Sequence, residues 1–216
     1  MALDRVTIEV IRRHSPLGRT LLVGGADSVV VEPQSFLESC GANEIAVVDM
    51  LQPSFGKWLR QDLNLPFDLD CQYDTVIDNG TIEHIANIGQ CLKTEMLATK
   101  VGGTLIIQTV TDSNQMHGFY QLSPHIFVDM FVPENGWSLL ELRTYRVGST
   151  KSRLEPIDCS QQLRLHLPRY IVAVAKKVVG LPLVWPMQTL WKGPWVRAKK
   201  QPVKNALKLC AYCLKP

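Results

Sequence analysis

Apolar positions in the first half of the chain come in short runs, each closing on small or acidic residues. Thr20–Val23 runs into Gly24-Gly25-Ala26-Asp27-Ser28, Glu44–Val48 into Asp49, and Thr75–Ile77 into Asp78-Asn79-Gly80. Buried parallel strands that deliver polar groups to one sheet edge have this pattern. Between the runs the period lengthens. Val6, Ile8, Val10 and Ile11 predict a leading helix over 5–14, with a strand as the alternative, broken by Ser15-Pro16-Leu17-Gly18. Residues 28–40 read as a helix, with Pro33 in its first turn or at a kink and Gly41 as its C-cap. Residues 51–60 read as a loop and short helix, followed by a brief third strand near Gln61-Asp62-Leu63. Ile82, Ile85, Ile88, Leu92, Met96 and Leu97 predict one helix over 81–99, ended by Gly102-Gly103.

The second half continues the alternation. Thr104–Thr109 is a fifth strand, 111–121 a polar segment, and Ser123-Pro124 opens a helix through Phe131. Strands follow at 137–145 and 169–175, separated by an irregular insertion over 147–168. These intervals predict a three-layer α/β/α domain over 1–178, with a mostly parallel seven-stranded sheet carrying an antiparallel end strand. Residues 179–216 are then an extension.

Charge divides the chain at the same place. Residues 1–150 hold 10 Lys+Arg against 18 Asp+Glu, and residues 151–216 hold 13 against 2, so an acidic body precedes a basic end. In the extension Trp185, Trp191 and Trp195 alternate with lysines and prolines. That composition suits an anionic membrane surface, or burial of the tryptophans on the acidic body; nucleic acid is the weaker fit. No apolar run approaches the roughly 20 residues of a spanning helix, and the N-terminus lacks a signal pattern, so a cytoplasmic protein is expected. The six cysteines form no framework and read as reduced thiols, and Cys210 and Cys213 make a lone CxxC. No metal-ligand spacing appears anywhere in the sequence.

Ligands of open α/β sheets bind at the carboxyl edge of the strands. The Gly24-Gly25-Ala26 turn there lets a ligand approach the backbone, and a helix start offers free N–H groups. Asp49 closes the next strand, where a carboxylate accepts from both hydroxyls of a ribose. A plain tight turn and a loop-capping aspartate are the structural alternatives.

The order of strand, small-residue turn, helix, strand and Asp49, then Asp62 before Leu65-Pro66-Phe67, then Tyr73–Ile85 with its Glu83-His84 pair, then Gly102–Ile107, resembles the class I S-adenosylmethionine-dependent methyltransferases, in their small-molecule branch. The resemblance covers roughly residues 18–146 and implies a Rossmann-like fold. It implies that Gly24, Gly25 and Ala26 cradle the methionine part of S-adenosyl-L-methionine and that Asp49 holds its ribose. Met50 would lie against the adenine, Asp62 and Leu63 at its amino edge, and Asp78 and Asn79 toward the methionine or substrate. His84 would sit beside that site, or equally be a packed core histidine. The glycine motif departs from the family: Leu22, Gly24, Ala26 and Ser28 stand where an acid and three alternating glycines are usual.

Methyl transfer from an activated sulfonium needs mainly alignment, and a hydroxyl acceptor benefits from a base. His117, on the polar segment after the fifth strand, is the candidate base, with a solvated loop histidine as the alternative; Asn114, Gln115 and Tyr120 are the candidate orienting neighbours. Metal-assisted transfer is not expected. The reaction expected is methylation of an oxygen, with nitrogen second, on a small molecule or glycan building block. A methyltransferase-like domain that has lost catalysis and serves binding or scaffolding is the first rival, and a nicotinamide oxidoreductase the second.

Overall fold

The computed structural model describes residues 3–25, 30–67, 69, 72–112, 117–146, 155–156 and 169–185. The alternating apolar runs become strands whose side chains divide between two helical layers. On one face Leu21, Val23, Val48, Val76, Leu105 and Ile107 pack with Leu92, Met96 and Phe127. On the other Leu22, Val47, Ile77 and Ile106 pack with Ile11, Phe36 and Leu37. The helices are α1 (Arg5–Arg13) and α2 (Pro33–Ser39) on the second face, α3 (Ile88–Ala98) and α4 (Pro124–Met130) on the first. The strands are β1 (Gly18–Val23), β2 (Ala42–Asp49), β3 (Lys57–Arg60), β4 (Tyr73–Asn79), β5 (Thr99–Asp112), β6 (Trp137–Arg146), β7 (Glu155–Pro156) and β8 (Arg169–Lys177).

They form one sheet in the order β3-β2-β1-β4-β5-β8-β6-β7. Pairs from β3 to β5 are parallel, and β8 runs antiparallel to both β5 and β6. The expected seven-stranded mixed sheet is present, with the two-residue β7 added at its edge. As expected, antiparallel pairing is confined to one end of the sheet, where β8 lies between β5 and β6 and the edge strand β7 pairs antiparallel to β6. Since β1, β2 and β4 run the same way, their carboxyl ends, at Val23, Asp49 and Asn79, share one edge.

Local chemistry sets the boundaries. Asp4 caps α1, its carboxylate accepting the Thr7 N–H at 2.8 Å, and Pro33 takes the first turn of α2, where its missing N–H costs nothing. Gly41, at φ +84°, follows the α2 C-cap and donates its N–H to the Glu38 carbonyl.

The structure departs from the sequence expectations in three places. The helix expected over 81–99 is split into a 3-10 turn, Ile82–His84, and α3 from Ile88. The Glu83 carbonyl, which a continuous helix would bond to the Asn87 N–H, accepts instead from Phe119 N at 2.7 Å and Tyr120 N at 3.2 Å. Asn87 donates its N–H to Asn64 Oδ1 and serves as the α3 N-cap. Second, Gly102 and Gly103 do not end the helix; α3 ends at Ala98 with Thr99 as its C-cap, and both glycines lie within β5. The Gly103 Cα packs so closely on β4 that a Cβ would stand 2.8 Å from the Asp74 carbonyl. Third, the strand expected at 61–63 lies at Lys57–Arg60 and no helix precedes it, because the Trp58 indole N–H donates to the Asp49 carbonyl and sets this segment beside β2.

Residues 179–185 pack on the body. Val178 and Val179 donate N–H bonds to the Gly136 carbonyl, Asn135 bonds both backbone groups of Val184, and the Trp185 ring lies over Gly89. The rest of the basic extension, 186–216, lies outside the described residues, as do Ala26, Asn114, Gln115 and most of 147–168. Among the described residues no helix is long and apolar enough to cross a membrane.

Candidate active site

The shared carboxyl edge opens into a cavity of about 470 Å³. Gly24, Gly25 and Asp49 form one wall, the segment Leu51–Phe55 covers them, and Gly80, Thr81 and His84 close the other side. Gly24 turns the chain at φ +78° while its N–H donates to the Val48 carbonyl at 2.8 Å. The next N–H, of Gly25, donates to Asp49 Oδ2 at 2.6 Å, and Leu51 N–H donates to Asp49 Oδ1 at 2.9 Å. Two backbone N–H groups thus fix the carboxylate, and each oxygen keeps a lone pair for a ligand hydroxyl. A Cβ at Gly25 would meet Asp49 Oδ2 at 3.4 Å, so the bare glycine keeps this backbone open beside the acid.

The opposite wall is held from within. Gly80 turns at φ +88°. Asp78 accepts the N–H groups of Thr81 at 2.6 Å and Ile82 at 3.0 Å, and the Thr81 hydroxyl donates to the Val23 carbonyl at 2.6 Å. These bonds tie the β4 turn to the end of β1. The Asp78 side chain is fully buried, and burial, then the neighbouring Glu95 carboxyl, raises its pKa well above the ordinary value.

Of the remaining residues singled out in the sequence, His84 lines the cavity and Asn79 lies buried at the β4 end, paired in register with Gln108. Met50, half exposed, is not in the cavity wall; its neighbour Leu51 is. Leu63 packs into the apolar core, and Asp62 binds the backbone and side-chain N–H groups of Asn64, which hold its carboxyl below the ordinary range. Leu22, at the departure from the family motif, is a core residue against the α1 and α2 layer.

The segment His117–Tyr120 docks on the Glu83-His84 turn through the two backbone bonds to the Glu83 carbonyl. Gly118, at φ +72°, passes so close that a Cβ would lie 2.8 Å from that oxygen. Tyr120 donates its hydroxyl to the Ala86 carbonyl at 2.7 Å. His117 is brought beside His84, with ring centroids 5.0 Å apart and edge to face, and its Nε2 lies 3.5 Å from Glu83 Oε1. Glu83 is fully buried, and its other oxygen accepts from the Thr109 hydroxyl at 2.7 Å. Glu83 and Thr109 were not singled out as site residues in the sequence. The available signal was an acid inside an otherwise apolar segment, a residue rarely buried without a partner.

No protein-family model matches the sequence, and no curated protein matches it. Solved structures do. The Burkholderia thailandensis 1,6-didemethyltoxoflavin-N1-methyltransferase, determined with 1,6-didemethyltoxoflavin and S-adenosylhomocysteine bound, superposes with a TM-score of 0.55 at 15% identity, over 81% of this chain and 78% of that one. DhpI, in complex with S-adenosylhomocysteine, gives 0.51 at 15% identity over 81% and 83%. The [4+2]-cyclase SpnF gives 0.55 at 12% identity over 80% of each chain. The chain has the Rossmann-like fold of the class I S-adenosylmethionine-dependent methyltransferases.

Proposed function

We propose that this chain is an S-adenosylmethionine-dependent methyltransferase acting on an oxygen, with nitrogen as the poorer fit, of a small molecule or glycan building block. One observation carries the reading: Asp49 is held by the Gly25 and Leu51 N–H groups at the wall of a cavity where β1, β2 and β4 end. A carboxylate so oriented accepts from two vicinal hydroxyls, and the Gly24-Gly25 turn offers backbone within van der Waals reach. These residues fit the ribose and methionine portions of the cofactor, which when bound supplies a methyl group already activated on sulfonium.

The chain's own task is alignment and proton removal. His84 stands at the cavity, and His117 beside it is the candidate base, with the buried Glu83 carboxylate behind its Nε2. A hydroxyl acceptor uses such a base, worth about 10²–10⁴-fold, more than an amine does, which favours oxygen. Asp78 serves this site by shaping the Gly80–Ile82 turn. The basic extension is proposed to meet an anionic membrane surface, supported by exposed Val178, Val179, Leu181, Val184 and Trp185 where it begins. Equal pelleting of the full chain with anionic and with zwitterionic vesicles overturns that contact.

The fold also carries a [4+2]-cyclase, so a domain that binds without transferring methyl is the second reading. Calorimetric titration with S-adenosylmethionine and S-adenosylhomocysteine separates them at the first step. Micromolar binding that Asp49→Ala abolishes is the expected result. Absence of binding by the unaltered chain overturns the methyltransferase reading.

A further inference from the structure

We propose that Glu83, His84 and His117 form a site for one divalent transition-metal ion of the zinc and cobalt class. One ligating atom from each of the three lies within 4.8 Å of the others. Glu83 is 0% exposed; its Oε2 is engaged by Thr109, while Oε1 has no hydrogen-bond partner and faces His117 Nε2 at 3.5 Å. That separation exceeds a normal N–H···O bond. It matches the roughly 3.4 Å between two ligands that each stand about 2.1 Å from a tetrahedral zinc ion.

A buried carboxylate oxygen without a donor is costly, and an ion between it and the imidazoles removes the cost. Carboxylate with two neutral imidazoles is the donor set of catalytic zinc and of mononuclear iron(II) sites, which keep positions open for water or substrate. The scaffold for such a set is in place. Thr109 orients the carboxylate as an outer partner, and the Phe119 and Tyr120 N–H bonds to the Glu83 carbonyl fix the segment that carries His117. His84 also lines the cavity, so the ion sits at its rim. This inference deepens the proposed function and rests on it for its purpose: in the metal-loaded chain His117 would serve as a ligand, and activation of the acceptor hydroxyl would pass from the imidazole base to the ion.

The test is binding, read without turnover. The untagged full chain, stripped with chelator, is titrated with Co²⁺ while visible d–d absorption is followed, and then with Zn²⁺ in competition. One equivalent is expected, with ligand-field bands that Zn²⁺ displaces, and affinity at least ~10-fold weaker in His84→Ala and in His117→Ala. Both substituted side chains are partly exposed, so the variants are expected to fold; Glu83→Gln, which is buried, is added with circular dichroism as its check. No saturable binding, or binding unchanged in the His84→Ala/His117→Ala double variant, overturns the site. Titration of the same metal-free chain with S-adenosylhomocysteine is a separate arm, and its failure counts against the methyltransferase reading alone.

Discussion

Asp78 at the end of β4 and Glu95 on α3 place carboxyl oxygens within 4.8 Å of one another and of the Cys91 thiol, and both acids are buried. The thiol donates to Glu95 Oε1 at 3.4 Å. Burial raises the Glu95 pKa from an ordinary 4.5 to about 7, and burial together with Glu95 raises Asp78 well above its ordinary 3.8. The pair that shapes the cavity turn is therefore held with fewer charges than two free carboxylates would carry.

This makes stability fall as pH rises. Between pH 4.5 and 7 Glu95 is protonated in the folded chain and ionised in the unfolded one, so folding takes up a proton. Each such proton contributes a slope of roughly 1–1.5 kcal/mol per pH unit. Urea midpoints measured at pH 5 and pH 7.5 are expected to drop across the window, and Glu95→Gln to flatten the dependence. An unchanged slope in the variant removes Glu95 as its source.

Gly118→Ala is expected to loosen the His117 segment. The residue sits at φ +72°, and a Cβ would stand 2.8 Å from the Glu83 carbonyl oxygen. Strain at such a position is of order 1–3 kcal/mol. Chemical denaturation reads this loss, and metal affinity at Glu83, His84 and His117 should fall with it. Full wild-type stability in the variant shows that the backbone contact is not needed.

What the sequence made legible and what it hid follow from the range of the causes. Strands such as β1, β2 and β4 are marked by their own apolar runs and by the small or acidic residues that close them, and α4 by Ser123-Pro124. The position of Asp49 was legible because it closes the apolar run of β2. The split of the 81–99 segment was hidden because its cause, the Phe119 and Tyr120 amides on the Glu83 carbonyl, comes from a different part of the chain. The Glu83, His84 and His117 cluster was hidden for the same reason, since two ligands are adjacent in sequence and the third arrives with that segment. The placement of β3 turned on one indole N–H, Trp58 to Asp49, which no local period announces.

Tyr145 and Asp4 couple the N-terminal helix to the sheet. The Tyr145 hydroxyl donates to Asp4 Oδ2 at 2.6 Å and accepts from Gln108 Nε2 at 3.0 Å, while Asp4 Oδ1 caps α1. Tyr145→Phe leaves two polar groups short of a partner, a loss of about 1–3 kcal/mol, and Asp4→Ala removes the cap, about 1 kcal/mol, as well as the bond. Because the two residues share one bond, the double variant is expected to cost less than the summed singles by about 0.5–3 kcal/mol. Strict additivity in a denaturation cycle argues that the bond carries nothing.

Lys177, at the end of β8, closes the C-terminal end of α3. Its ammonium donates to the Met96 carbonyl at 2.9 Å and the Thr99 carbonyl at 2.7 Å, and lies 5.8 Å from the Trp137 ring centroid. The last carbonyls of a helix lack intrahelical donors, and a cation there also meets the negative end of the helix dipole. Burial lowers the amine's pKa from its ordinary 10.5, so the charge is kept at a desolvation cost that the two carbonyls offset. Lys177→Met preserves the packing of the stem on Trp137 but leaves both carbonyls without that donor. Destabilisation by about 1–3 kcal/mol is expected. Hydrogen exchange in the last turn of α3 should accelerate more than in α4, which Lys177 does not cap. Equal acceleration in both helices would show a loss of global stability with no local cap, and unchanged stability would show that solvent replaces the ammonium.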